Sequence, residues 1–176
     1  SAAYWERTFA NVTLTGDYAK DILAIAETQL GYQESTRNYH VDKEGNKLGY
    51  TRYGDWYGSP YGHWCAMFVS WCAALAGISD KVVPKHSYTP NGLYWMKDKW
   101  GRAYSRAKVE AGAYTPQPGD IIYFKSPTTK ATTNHVGIVT GYSNGTVHTI
   151  EGNTSDSCRQ RSYPVGYYKI LDYDVV

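Results

Sequence analysis

His63-Trp64-Cys65-Ala66-Met67-Phe68-Val69-Ser70-Trp71-Cys72-Ala73-Ala74-Leu75-Ala76-Gly77 decides the fold. From Ala66 to Ala76 only Ser70 is plainly polar. A helix that is apolar on nearly every face is a buried helix. Gly77 suits the left-handed position just past its end. Upstream, Tyr57-Gly58-Ser59-Pro60-Tyr61-Gly62 is turn chemistry. The helix is therefore predicted to start near Trp64, with Cys65 in its first turn. There the unpaired N–H groups and the helix dipole favour thiolate over thiol, and the thiolate is the nucleophile. Cys72, two turns deeper, should be an inert buried thiol. Alone, Cys65 reads first as a small buried hydrophobe. A histidine with an orienting group elsewhere tips the reading to a nucleophile.

The composition sets bounds. The chain has 176 residues, 42% of them hydrophobic, which suits one domain with its own core. A net charge of +2 gives no steer towards nucleic acid or a membrane surface. No run approaches the roughly 18 apolar residues of a membrane span. No signal peptide is visible, so a secreted protein would have been trimmed before Ser1. There are 18 Tyr and 6 Trp against 3 Phe. Such rings suit carbohydrate or peptide grooves, or a Tyr-rich sheet surface. Cys65 and Cys72 would lie roughly 10 Å apart on one helix, too far to bridge.

Outward from the helix, residues 1–16 read as an N-terminal arm and 17–176 as the domain. Asp17 should cap a helix through Ile22, Ile25, Ala26 and Leu30 to Gly31. Residues 32–62 read as a long irregular segment. Within it, Asp42-Lys43-Glu44-Gly45-Asn46 reads as a solvated turn; the terminal Glu of a calcium loop is replaced by Tyr53. Thr89-Pro90 should open a short helix with Thr89 as its cap. Strands are predicted at Ile121–Phe124, 136–142, 146–150 and 167–171. Helices first and strands later indicate an α+β fold.

His135 opens one predicted strand, and Glu151-Gly152-Asn153 closes the next. Ser143-Asn144-Gly145 joins them, a strong hairpin signal. Register decides whether these groups meet. A two-residue loop pairs 143 with 146 and puts His135 and Glu151 on opposite faces. A three-residue loop pairs 142 with 146 and puts them on one face, with Asn153 opposite His135. A catalytic reading therefore requires the three-residue loop. His would take the thiol proton and return a proton to the leaving amine, with the third group holding the ring. No His/Cys spacing resembles a zinc site.

At these residues the sequence resembles a CHAP domain, the cysteine- and histidine-dependent amidohydrolases/peptidases of the papain-like group. The matching pieces are Trp64 to Cys72, Pro118-Gly119-Asp120-Ile121-Ile122-Tyr123-Phe124, His135-Val136-Gly137-Ile138-Val139 and Ile150-Glu151-Gly152-Asn153. The resemblance implies a papain-like fold, with the nucleophile helix packed on an antiparallel sheet. It implies Cys65 as nucleophile, His135 as base, and Glu151 with Asn153 as orienting groups. It implies peptidoglycan as substrate, cut at an amide of its peptide part. Endopeptidase action is favoured over muramoyl–alanine amidase. Tyr53, Trp56, Tyr57, Tyr61 and Trp64 are expected to wall the substrate groove, and a tyrosine to assist the Cys65 N–H in the oxyanion hole. No metal or cofactor is expected, since 53–64 offers Asp55 as its single carboxylate. A secreted or wall-associated monomer follows. A non-catalytic wall-binding module and a transglutaminase-like acyltransferase are the alternatives.

Overall fold

The computed structural model describes residues 11–176. Most of the expected N-terminal arm, 1–10, lies outside the described residues. At its end, the Thr15 and Gly16 N–H groups donate to the Asp21 carboxylate, both at 2.9 Å.

Helix α1 (Tyr18–Glu27) begins at Asp17, whose side chain accepts from the Lys20 N–H. It buries Ile22, Ile25 and Ala26. The segment read as irregular is partly regular. Strands β1 (Tyr39–Val41) and β2 (Lys47–Gly49) form a small antiparallel hairpin. Asp42 holds its turn by accepting the N–H groups of Glu44 and Asn46. A six-residue helix, α2 (Arg52–Tyr57), follows, capped by Thr51. These pieces are too short to show a period.

Helix α3 (Cys65–Leu75) starts at Cys65, with Trp64 as its cap. Every residue from Cys65 to Ala73 is buried. The next helix, α4 (Thr89–Leu93), is capped by Tyr88, one residue before the predicted cap. The Thr89 hydroxyl instead donates to the Thr133 carbonyl. A π-helical turn, Tyr94–Lys99, continues it.

Six strands make one antiparallel sheet in the order β3-β8-β4-β5-β6-β7. They are β3 (Ala103–Ser105), β4 (Ile121–Phe124), β5 (His135–Ser143), β6 (Thr146–Thr154), β7 (Ser157–Pro164) and β8 (Ile170–Asp174). A short helix, α5 (Arg106–Glu110), follows β3. The last strand starts later than predicted, because Tyr167 and Tyr168 lie in the turn before it. Strand β7 has no apolar run to announce it. It is an edge strand carrying Arg159, Arg161 and Pro164, residues that discourage further pairing.

Strand β4 is buried throughout, because both of its faces are covered. Ile121 and Tyr123 join the core beneath α3; Ile122 and Phe124 join a second cluster with Val139, Val147 and Tyr173. Helix α3 lies on β5 and β6. It comes close at Gly152, where a Cβ would stand 2.6 Å from the Phe68 side chain.

The hairpin between β5 and β6 corrects the expected register. Ser143 pairs with Thr146, so the loop is the two residues Asn144-Gly145. Both have positive φ, 50° and 80°, as a type I′ turn requires. The ladder then slips by one at Thr140, a β-bulge. Gly141 pairs with His148, but Val139 pairs with Thr149 and Ile138 with Ile150. The register that brings His135 and Glu151 to one face is produced by the bulge and not by the loop.

Candidate active site

The N-terminus of α3 brings Cys65 to the start of β5. His135, the first residue of that strand, interacts with both Cys65 and Glu151. Its Nε2 lies 2.7 Å from Glu151 Oε1. Burial disfavours the charged ring, but Cys65 and Glu151 outweigh it and raise the His135 pKa to about 10. Glu151 is 1% exposed, and burial alone would push its carboxyl up. The bond and charge of His135, with the Thr149 and Tyr163 hydroxyls, hold it below the usual value.

The second carboxylate oxygen of Glu151 is fully engaged. It accepts from the Thr149 hydroxyl and from the Tyr163 hydroxyl at 2.8 Å. Thr149 is two residues away on the same strand, hence on the same face. Tyr163 comes from β7. The sequence reading missed both. The i, i+2 spacing of Thr149 and Glu151 was available as a signal; Tyr163 had none, because β7 itself was not foreseen.

Asn153 departs from the expectation. It lines the cleft but, among the described residues, makes no hydrogen bond to His135 or Glu151. Its backbone is left-handed, φ 55°, and the ladder slips between Glu151 and Thr154. That irregularity takes Asn153 out of regular pairing.

The five expected groove residues separate into three groups. Tyr53 and Trp64 are completely buried. Their rings stack at 5.3 Å; Tyr53 donates to Gln29 at 2.7 Å and Trp64 to Glu34 at 2.9 Å. Buried Tyr and Trp usually find a partner for the hydroxyl or indole N–H, as these two do. This also removes Tyr53 from the oxyanion hole. Trp56 and Tyr57 lie under the Lys85 ammonium, at 4.6 and 5.4 Å. Tyr61 does line a cleft, of about 280 Å³, with His63, Asn153 and Asp156. A second cleft, about 340 Å³, is lined by Phe124, His135, Glu151, Asn153, Tyr163 and Lys169 among others. Asn153 borders both.

Of the other histidines, His63 borders the smaller cleft. His86 is buried, its Nε2 3.1 Å from the Tyr123 hydroxyl, and burial lowers its pKa to about 4. All three cysteines are free. Among the described residues no three His, Cys, Asp or Glu side chains gather as a metal site would need, and no helix is long and apolar enough to cross a membrane.

A buried helix with a thiol at its start, laid on an antiparallel sheet whose strand offers an imidazole, is a papain-like α+β layout. The CHAP domain family model matches residues 52–153, and the chain belongs to that family. CHAP domains are generally hydrolases acting on peptidoglycan. Comparison with curated proteins gives no match. Among solved structures, one similar chain is a Staphylococcus aureus protein described as similar to lipoprotein, of the NLP/P60 family. It is 15% identical, with a TM-score of 0.47. The match covers 94% of this chain and 44% of that one.

Proposed function

We propose that the protein is a cysteine-dependent peptidoglycan hydrolase that cuts an amide in the peptide part of the wall. Residues 17–176 form the catalytic domain, acting outside the cell. The observation that carries this reading is the His135–Glu151 contact of 2.7 Å at a histidine that also interacts with Cys65.

The chemistry follows from the arrangement. Cys65 gives its proton to His135, and its sulfur attacks the carbonyl carbon of the scissile amide. The C–N bond breaks as His135 returns the proton to the leaving amine. The acyl group is then a thioester on Cys65. His135 next takes a proton from water, whose oxygen displaces the sulfur and releases a carboxylate. The Cys65 N–H at the helix start donates to the oxyanion. Glu151 holds the ring in one orientation and balances its charge. Thr149 and Tyr163 position Glu151. Asn153 and Tyr61 line the substrate path.

A thiol–imidazole pair suits acyl transfer; glycoside cleavage usually employs two flanking carboxylates. Endopeptidase action is favoured over muramoyl–alanine cleavage. The test is digestion of purified sacculi by the wild type and by Cys65→Ala. New amino groups with intact glycan strands, absent with Cys65→Ala, are expected. New termini within stem peptides or bridges mark an endopeptidase, and free lactyl carboxylates an amidase. Amine incorporation in place of hydrolysis would establish the acyltransferase alternative. Reducing sugar ends that persist with Cys65→Ala would overturn the reading.

A further inference from the structure

Two clefts meet at Asn153, and the His135 imidazole lines the larger of them. Gly62 and His63, the residues just before Cys65, line the smaller. On the hydrolase reading, acid catalysis gives this pair of clefts a direction. The scissile nitrogen must come within hydrogen-bond reach of His135 to receive its proton. The leaving amine therefore departs through the larger cleft. The acyl part stays bonded to Cys65 and lies in the smaller cleft, beside Tyr61 and His63.

The leaving-group cleft carries a lysine. Lys169 lines it and is half-buried, yet no carboxylate among the described residues pairs with it. Glu151, which lines the same cleft, is engaged by His135, Thr149 and Tyr163. The Lys169 Nζ lies 5.7 Å from the Tyr168 ring centre. That is near the outer limit of a cation–π contact, and it leaves the three N–H donors uncommitted. The turn that carries the lysine is held on both sides. Arg106 Nη1 donates to the carbonyls of Tyr167, Tyr168 and Ile170. The Lys125 N–H donates to the Lys169 carbonyl at 2.8 Å. The Tyr167 ring stacks on Tyr163 at 5.1 Å, and Tyr163 in turn donates to Glu151. Lys169 and the carboxylate behind His135 thus share one support.

We infer that Lys169 selects the leaving fragment by binding a carboxylate one or two residues beyond the scissile nitrogen. This carboxylate belongs to the amine fragment, as its chain end or as an acidic side chain, and takes no part in the bond being cut. The spacing follows from the sheet. His135, Phe124 and Ile170 lie abreast on β5, β4 and β8. Lys169, the residue before Ile170, therefore stands about 10 Å from His135, across two strand spacings. An extended peptide advances roughly 3.3–3.6 Å per residue, and the lysine stem covers the rest. A charge-assisted hydrogen bond to a carboxylate is about twice as strong as a neutral one. The cleft thus prefers acidic leaving amines to neutral ones.

The test enters the cleft from the amine side. The full chain is acylated at Cys65 with the p-nitrophenyl ester of N-acetylalanine, and the thioester is identified by mass spectrometry. Glycylglycine and glycylglycinamide, which differ in the carboxylate, are then added together at high concentration as acceptors. His135 takes a proton from the amine, the nitrogen bonds to the acyl carbon and the C–S bond breaks, the reverse of cleavage. About tenfold more product from glycylglycine is expected, a difference of roughly 1.4 kcal/mol, and it should shrink as salt is added. Lys169→Gln should abolish the preference and Lys169→Arg should keep it. Both acceptors draw on one acyl-enzyme, so the ratio does not depend on how fast Cys65 is acylated. Equal transfer to the two dipeptides, transfer to neither, or a preference kept in Lys169→Gln would overturn the inference alone. If no acyl group reaches Cys65, the hydrolase reading falls and the inference falls with it.

Discussion

Gly137 lies directly beside the Glu151 side chain: a Cβ at position 137 would stand 2.6 Å from Glu151 Cγ. The carboxylate reaches His135 through space that only a glycine leaves open. Gly137→Ala should displace Glu151 and loosen its hold on the ring. A misplacement of ~1 Å can cost about 10²-fold in rate. We expect a loss of that order in kcat with little change in KM or far-UV CD. An unchanged kcat would show that Glu151 does not orient His135.

The bulge at Thr140 predicts tolerance to shortening. Deleting Thr140 leaves Gly141 opposite His148 and Val139 opposite Thr149, as they are now. Deleting Ser143 can likewise be absorbed by straightening the bulge, so neither change must turn His135 from Glu151. Both variants should keep activity to within about tenfold, a cost of roughly 1.4 kcal/mol in the barrier. A far larger loss in a well-folded Thr140 deletion would mean that the bulge does more than set register.

Thiol labelling should separate the three cysteines. Cys65 is 8% exposed and faces His135; Cys72 is completely buried and Cys158 is 1% exposed. Burial pushes the Cys72 thiol well up, and that of Cys158 up to about 12. Iodoacetamide should therefore modify Cys65 first in the folded protein. Peptide mapping of partly labelled protein measures this. Equal rates at Cys65 and Cys72 would remove the basis for Cys65 as nucleophile.

Asp172 and Asp174 set a pH dependence of stability. They alternate on β8 and are buried. Beyond one another, no donor among the described residues reaches their four oxygens. Burial pushes Asp172 up to about 6 and Asp174 well above the usual carboxylate range. A carboxyl whose folded pKa is raised contributes stability that is full below its unfolded value near 4 and is lost as pH rises through its folded value. The fold should thus lose stability from pH 4 towards 7 on account of this pair. Asp172→Asn should gain about 2–3 kcal/mol over wild type at pH 7, at 1.36 kcal/mol per unit, and little at pH 4. Urea titrations at the two pH values check this. His135 adds in the same direction at higher pH, since its pKa is raised to about 10. Glu151 opposes at the acid end, where its lowered pKa makes it lose stability as pH falls.

The elements legible in the sequence were those whose own residues decide them. An unbroken apolar run from Ala66 to Ala76 has no stable place but the core, and turn chemistry before it sets the helix start at Cys65. Asp17 caps α1 and Ile121–Phe124 forms a central strand for similarly local reasons. The grouping of Cys65, His135 and Glu151 was legible because a helix start, a strand start and a strand end are positions that sequence can mark. What tertiary structure decided was which neighbours those positions acquire. Tyr53 and Trp64 look like groove aromatics until the core beneath α3 closes over them. Thr140 bulges to reconcile a two-residue turn, favoured by its own backbone twist, with a register imposed by packing further along the strands. Tyr163 reaches Glu151 because a polar edge strand pairs with β6. Each of these outcomes depends on residues distant in the chain, and no local pattern carries that information.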